Sequence, residues 1–156
     1  MITIKEKQSI LIKVPTEAIF AYMSDLENLN DWSSVIVTAR KISDGAVQVG
    51  TRVRSTIRFL SRWMEMTFEI VECEANRCLT IKSISGVSPC LFCYQFELGE
   101  DGGTLVSQEA VIHHVEGVVE LTESIVTSAV RRQLAYDLQT LKDILEAKAT
   151  RCETAD

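Results

Sequence analysis

Tyr94 and Ser55 are the polar side chains that strand parity turns most clearly toward the interior of this 156-residue chain. Each hydroxyl could orient a carbonyl or hydroxyl group, and an enzyme would use such a group to move a proton or hold an oxyanion. The plainer alternative is that both bond only backbone or water. His113 and His114 are adjacent near the end of an apolar-polar alternation, so one faces inward and one outward. With the odd positions inside, Glu109 and His113 would enter the interior, a carboxylate and a titratable imidazole separated by about 13 Å along the strand. That is too far for a catalytic pair. The even positions, Val106, Gln108, Ala110 and Ile112, bury no charge and are the ones expected inside, which leaves His113 a catalytic candidate only in the other register.

Cys90-Leu91-Phe92-Cys93 has redox spacing, but that chemistry needs a helix N-terminus and here the pair begins a strand after Pro89. Residues three apart on a strand face opposite ways, so the two sulfurs should neither pair nor share a metal. No H-E-x-x-H, P-loop, G-x-G-x-x-G or nucleophile-elbow pattern occurs. No metal and no cofactor is expected. Trp32 either stacks on a ligand or anchors its helix against a sheet, and Arg131 and Arg132 read as solvated or sheet-edge contacts, with an acidic ligand group as the alternative partner of one of them.

These groups need a scaffold, and a period of two supplies most of it. Thr51 to Phe59 puts Val53, Ser55, Ile57 and Phe59 on one face and arginines on the other, and Trp63 to Glu72 puts Met64, Met66, Phe68 and Ile70 opposite carboxylates. The short link between them predicts a hairpin whose outer Arg and Glu side chains pair. Strands follow near residues 78–85, 89–98 and 104–113, adding Leu79, Ile81, Phe92, Tyr94 and Phe96 to the apolar face. Gly86-Val87-Ser88 and Gly99 to Gly103 break them, so an antiparallel meander is expected. After Gly117, Leu121, Ile125, Val130, Leu134, Leu138, Leu141 and Leu145 recur at helical spacing. A helix over roughly residues 118–148 would be about 45 Å long, enough to cross a curved sheet. Near the start, a strand leads into Val14-Pro15-Thr16, with Thr16 expected to cap one short helix and Ser24 with Glu27 to box the start of a second.

The length suits one domain spanning residues 1–156. A net charge of -6 and a pI near 5.0 oppose attraction to phosphate backbones, so nucleic acid is not an expected partner. No membrane span or export segment is visible, and five cysteines, an odd number, fit free thiols in a cytoplasmic protein.

Taken in order, Ile12-x-Val14-Pro15-Thr16-Glu17-x-x-Phe20, Asp25-x-x-Asn28, Trp32, Gly45-x-x-x-x-Gly50-Thr51, Gly103-Thr104 and Leu138-x-x-Leu141-Lys142-x-x-Leu145-Glu146 resemble the SRPBCC or START-like superfamily. That superfamily includes birch-pollen-allergen-like proteins and the polyketide cyclase/dehydrase family. The resemblance covers nearly the whole chain. It implies an α+β helix-grip fold: a seven-stranded antiparallel sheet curved around a long C-terminal helix, with two short helices after the first strand closing one end of a cavity. Trp32, Val53, Ser55, Ile57, Phe59, Met64, Met66, Phe68, Ile81, Phe92, Tyr94 and Gln108 would then contact a ligand, and Phe20, Tyr22, Leu26 and Leu29 would join Trp32 as a plug or gate. The same residues could instead pack as solid core. The function implied is binding of a small hydrophobic molecule, a lipid, polyketide or isoprenoid-like compound. The alternatives are a polyketide cyclase or dehydratase acting in the same cavity and a co-chaperone-like interaction module.

Overall fold

Alternation along each segment produces strands whose apolar edges all turn one way, and the sheet they form closes around the last helix. The computed structural model describes residues 2–114 and 122–154. Strand β1 (Ile2–Ile12) is followed by helix α1 (Thr16–Ser24), a 3-10 turn (Leu26–Asn28) and the short helix α2 (Leu29–Trp32). Strands β2 (Ile36–Lys41), β3 (Arg52–Phe59), β4 (Arg62–Glu74), β5 (Cys78–Ser85), β6 (Cys90–Leu98) and β7 (Thr104–His114) come next, then helix α3 (Glu123–Thr154). The spatial order is β1-β7-β6-β5-β4-β3-β2, with every pair antiparallel. β3 to β7 form the expected meander, β2, which the alternation did not locate, extends it beside β3, and β1 returns to pair with β7.

The β3–β4 hairpin turns on Leu60 and Ser61, both with positive φ (48° and 65°), the conformation that matches strand twist in a two-residue loop. On its outer face Arg52 pairs with Glu69 at 3.1 Å, and the Arg58 guanidinium lies 5.7 Å from the Trp63 ring centroid. The alternation in β4 changes phase after Ile70, where Val71 and Glu72 are both exposed and Cys73 turns to the core, because the register to β5 shifts between Ile70 and Glu72. This bulge, and a second between Thr67 and Phe68, bend the longest strand and help the sheet curl.

α3 presents Val126, Val130, Leu134, Leu138, Leu141 and Leu145 to the sheet, all buried. Ile125, expected on that stripe, is half exposed, because the stripe steps by four from Val126 to Val130 to Leu134. Leu121 and the start of the expected helix at residue 118 lie outside the described residues, and the helix runs past residue 148 to Thr154. Along β1 the helix is fastened at both ends. Arg131 meets Glu6 at 3.1 Å and its carbonyl accepts from Gln8, while Lys142 donates to the Leu11 carbonyl at 2.7 Å and Glu146 accepts from the Lys13 backbone N–H at 3.0 Å.

The helix starts differ from expectation. Pro15 occupies the N-cap of α1, and Thr16, its first helical residue, shares a hydrogen bond with the Thr104 hydroxyl at 2.9 Å. Asp25 caps the 3-10 turn by accepting from the Glu27 N–H at 3.2 Å, while the Ser24 hydroxyl turns back toward the Ala21 carbonyl. A carboxylate one residue later outcompeted the serine for the exposed N–H groups.

Candidate functional site

The core is divided. One cluster gathers Ile12, Ile19, Met23, Leu26, Val53, Ile70, Leu79 and the C-terminal half of α3. The other gathers Ile4, Ala110, Val126, Val130 and Leu134 around the N-terminal half of α3. Where the two meet, the side chains fail to fill the space, and a cavity of about 120 Å³ remains between sheet and helix. Its walls are Ile57, Phe59, Met64, Met66, Phe68, Ile81, Phe92 and Ile112 from the strands, Leu29 and Trp32 from α2, and Val126, Val130 and Leu134 from α3. Phe59, Met64, Phe92 and Ile112 are only partly buried, so this side of the cavity is the one in reach of solvent.

Polar groups collect at the opposite end. Tyr94 and Gln108 face each other across β6 and β7, and Gln108 Nε2 donates to the Tyr94 hydroxyl at 2.9 Å. The Trp32 ring meets the Tyr94 ring edge-on, with centroids 6.1 Å apart. Asp137, on the buried face of α3, accepts from the Ser34 backbone N–H at 2.9 Å, from Gln133 Nε2 at 3.0 Å and more distantly from the Ser33 hydroxyl. Burial raises its carboxyl above the ordinary carboxylate range, and these hydrogen bonds pull in the other direction. Burial likewise pushes the Tyr94 phenol well up, opposed by the Gln108 hydrogen bond and reinforced by the charge of Asp137. Tyr94 is therefore a proton-bearing donor at neutral pH. Two atoms here have no partner among the described residues: Trp32 Nε1, a donor, and Gln108 Oε1, an acceptor.

Of the residues expected at a ligand site, Trp32, Ile57, Phe59, Met64, Met66, Phe68, Ile81, Phe92, Tyr94 and Gln108 line this cavity. Val53 and Ser55 do not. Both sit on the inner face as parity required and are fully buried, but they lie toward the Arg52 end of β3, past the cavity's limit at Ile57. Among the described residues the Ser55 hydroxyl has no partner, and Ser55 does not line this cavity. His113 is also misplaced as a candidate. The even positions of β7 face inward, so His113 faces the other side of the sheet, with Nδ1 3.0 Å from the Thr3 hydroxyl, and Glu109 pairs with Lys7 at the surface. The side chain of His114 lies outside the described residues.

Within the expected gate, only Leu29 and Trp32 reach the cavity. Phe20 stacks edge-on against Phe96 at 5.8 Å and Tyr22 lies under the Lys148 ammonium at 4.5 Å, so these residues plug the end of the fold behind α2. Cys90 lines the cavity, its thiol pushed up to about 12 by burial, and Cys93 is on the opposite face, so the two sulfurs diverge. Asp137, Gln133 and Ser33 were absent from the sequence-based expectation. A signal existed: Asp137 stands beside Leu138, three residues after Leu134, where the stripe calls for an apolar side chain. Among the described residues no group of His, Cys, Asp or Glu side chains is arranged to hold a metal, and no helix is long and apolar enough to cross a membrane.

No curated protein matches the chain in sequence. Solved structures match it in fold. A protein of Thermus thermophilus superposes with a TM-score of 0.78 at 17% identity, over 92% of this chain and 98% of its own. A START superfamily protein from Mycobacterium smegmatis gives 0.77 at 11% identity, over 92% and 97%. Ara h 8.0201 gives 0.66 at 13% identity, over 93% and 99%. The curved seven-stranded sheet gripping a C-terminal helix is thus the START-like, helix-grip fold. The sequence pattern described as "Polyketide cyclase / dehydrase and lipid transport" matches residues 3–146, and with the fold in agreement over that span the chain belongs to this family.

Proposed function

We propose that the protein binds a small hydrophobic molecule, of lipid, polyketide or isoprenoid-like character, in the cavity between sheet and α3. The observation that carries this reading is the division of the core. Two apolar clusters approach each other and leave a space walled almost entirely by aliphatic, aromatic and thioether side chains, open on one side and polar at the other end. A chain optimised for stability alone would close such a gap, because empty apolar space forfeits packing on every wall. Met64 and Met66 lie side by side in register with Ile57 and Ser55, and flexible thioethers adapt to guests of different shape. The family description, which joins lipid transport to cyclase and dehydrase, supports the same class of ligand.

Native mass spectrometry of gently purified protein tests the reading. A bound apolar mass that leaves on organic extraction is expected. Protein that carries nothing and takes up no apolar probe in a fluorescence titration would overturn it.

A cyclase or dehydratase reading has one observation of its own: Asp137, a buried carboxyl with raised proton affinity, stands near the Tyr94 hydroxyl at the polar end. In that reading Asp137 exchanges a proton with the ligand and Tyr94 donates a hydrogen bond to its oxygen. Turnover of a poly-β-ketone probe that Asp137→Asn abolishes without weakening binding would favour it, and unchanged turnover would dismiss it.

A further inference from the structure

The polar end of the cavity specifies a head group. Trp32 and Gln108 are at least nine-tenths buried, at 4% and 2% exposure, yet Trp32 Nε1 and Gln108 Oε1 have no partner among the described residues. A buried amide or indole group left unpaired has given up its bonds to water for nothing, so a ligand atom that satisfies it recovers that loss on arrival. The two groups make opposite demands. Indole N–H can only donate, and an amide oxygen can only accept. Tyr94, which accepts from Gln108 Nε2, keeps its own O–H as a further donor beside them.

One small group answers both demands: a hydroxyl, whose oxygen accepts from Trp32 or Tyr94 and whose hydrogen is given to Gln108 Oε1. A ketone satisfies only the donors. A carboxylate also lacks a hydrogen to give, and it would enter the field of Asp137, whose charge already acts on Tyr94 in the same space. Asp137 is itself an acceptor, held by Ser34, Gln133 and Ser33, so it offers a carboxylate no donor. Among the described residues no lysine, arginine or histidine lines the cavity to neutralise an acid.

We propose that the ligand is a neutral, hydroxyl-bearing apolar molecule, bound with its hydroxyl between Trp32, Tyr94 and Gln108 and its hydrocarbon body against Met64, Phe92 and Val130. The inference rests on the hydrophobic-binding reading and adds selectivity for the head group.

The test compares octanol, octanone and octanoate at about pH 8, where octanoate is ionised. Trp63→Phe, at an exposed position, leaves Trp32 as the sole tryptophan and makes its fluorescence a reporter of this end, with calorimetry as an independent readout. Octanol should bind about tenfold tighter than octanone, and octanoate weakest of the three. Gln108→Leu should bring octanol and octanone to the same affinity while both still bind; Gln108→Met serves if the leucine variant does not fold. If octanoate binds as tightly as octanol, or the Gln108 variants keep the preference for octanol, the head-group assignment is wrong and hydrophobic binding stands. If none of the three binds, both fail.

Discussion

Tyr94 and Gln108 occupy one cross-strand pair of β6 and β7, and the amide of Gln108 donates to the phenol at 2.9 Å inside an otherwise apolar enclosure. Neither group can be removed alone without stranding the other. Tyr94→Phe leaves the whole Gln108 amide unpaired and should cost about 1–3 kcal/mol of unfolding free energy. Gln108→Leu should cost a similar amount, since the phenol then loses its one partner among the described residues. The double variant should cost clearly less than the two single losses together, because both polar groups are gone. Denaturant unfolding of the four proteins measures the cycle, and losses that add to within about 0.5 kcal/mol would show the pair is not coupled.

Filling the cavity should separate binding from folding. Val130 is buried at the cavity wall one helical turn from Val126 and Leu134. A phenyl ring in its place occupies space that nothing else uses, so Val130→Phe should abolish uptake of apolar probes while leaving the far-UV circular dichroism unchanged. Overpacking a full core typically costs about 1–3 kcal/mol, and the vacant volume should hold the actual loss below that. A variant that binds as well as the wild type would mean probes bind elsewhere.

Asp137 should leave a signature in the pH dependence of stability. Its folded-state pKa is raised, chiefly by burial, so the folded protein holds this proton more tightly than the unfolded chain does. Its contribution to stability is therefore fully present below the ordinary aspartate value and is lost as pH rises through the raised one. Asp137→Asn cannot titrate. The stability of the wild type relative to this variant should fall as pH increases from acid toward neutral, as followed by denaturant midpoints across that range. A difference that is flat or rises with pH would show that the hydrogen bonds from Ser34 and Gln133 outweigh burial.

The sequence carried the scaffold better than the site. Period-two alternation in β3 to β7 and the leucine spacing of α3 are direct consequences of one buried face, so they could be read without coordinates. On β7 parity left two faces open, and avoiding a buried charge pointed to the even one, where Val106, Gln108 and Ala110 are buried. Parity could not say how far along a strand the cavity extends, because Val53 and Ile57 have the same parity and differ only in what packs over them. Asp137 escaped for a related reason. A single charge on an apolar stripe reads as an interruption until Ser33, Ser34 and Gln133, two of them more than a hundred residues away, are seen to satisfy it.

Gly86 connects a surface turn to the cavity wall. It adopts φ +122°, and a Cβ there would fall 2.6 Å from Met66 Cγ and 3.2 Å from the Glu65 carbonyl. Gly86→Ala is thus strained twice, by the backbone conformation and by the methionine it would displace, and should cost about 1–3 kcal/mol. Because Met66 lines the cavity, the substitution should also weaken probe binding. Replacing Val87, exposed in the same turn, by alanine should change neither. Equal effects at both positions in thermal unfolding and probe titration would remove the proposed connection.

Glu146 titrates in the opposite sense to Asp137 on the same helix. Burial tends to raise its pKa, but the hydrogen bonds from the Lys13 N–H and Lys142, at 3.0 and 2.8 Å, together with the charge of Lys142, lower it overall. The folded state therefore favours the ionised form, and the stability this provides is present above the ordinary glutamate value and lost as pH falls through the lowered one. Lys142 also holds the Leu11 carbonyl, so the group fastens α3 to the end of β1. Glu146→Gln should cost about 0.5–1 kcal/mol at neutral pH, the scale of a partly exposed ion pair with added hydrogen bonds. The loss should vanish in strong acid. Wild type minus Glu146→Gln must then rise with pH, where wild type minus Asp137→Asn falls. Two differences with the same sign of slope would contradict the assignment of one carboxylate as a fastening and the other as a buried group of the cavity.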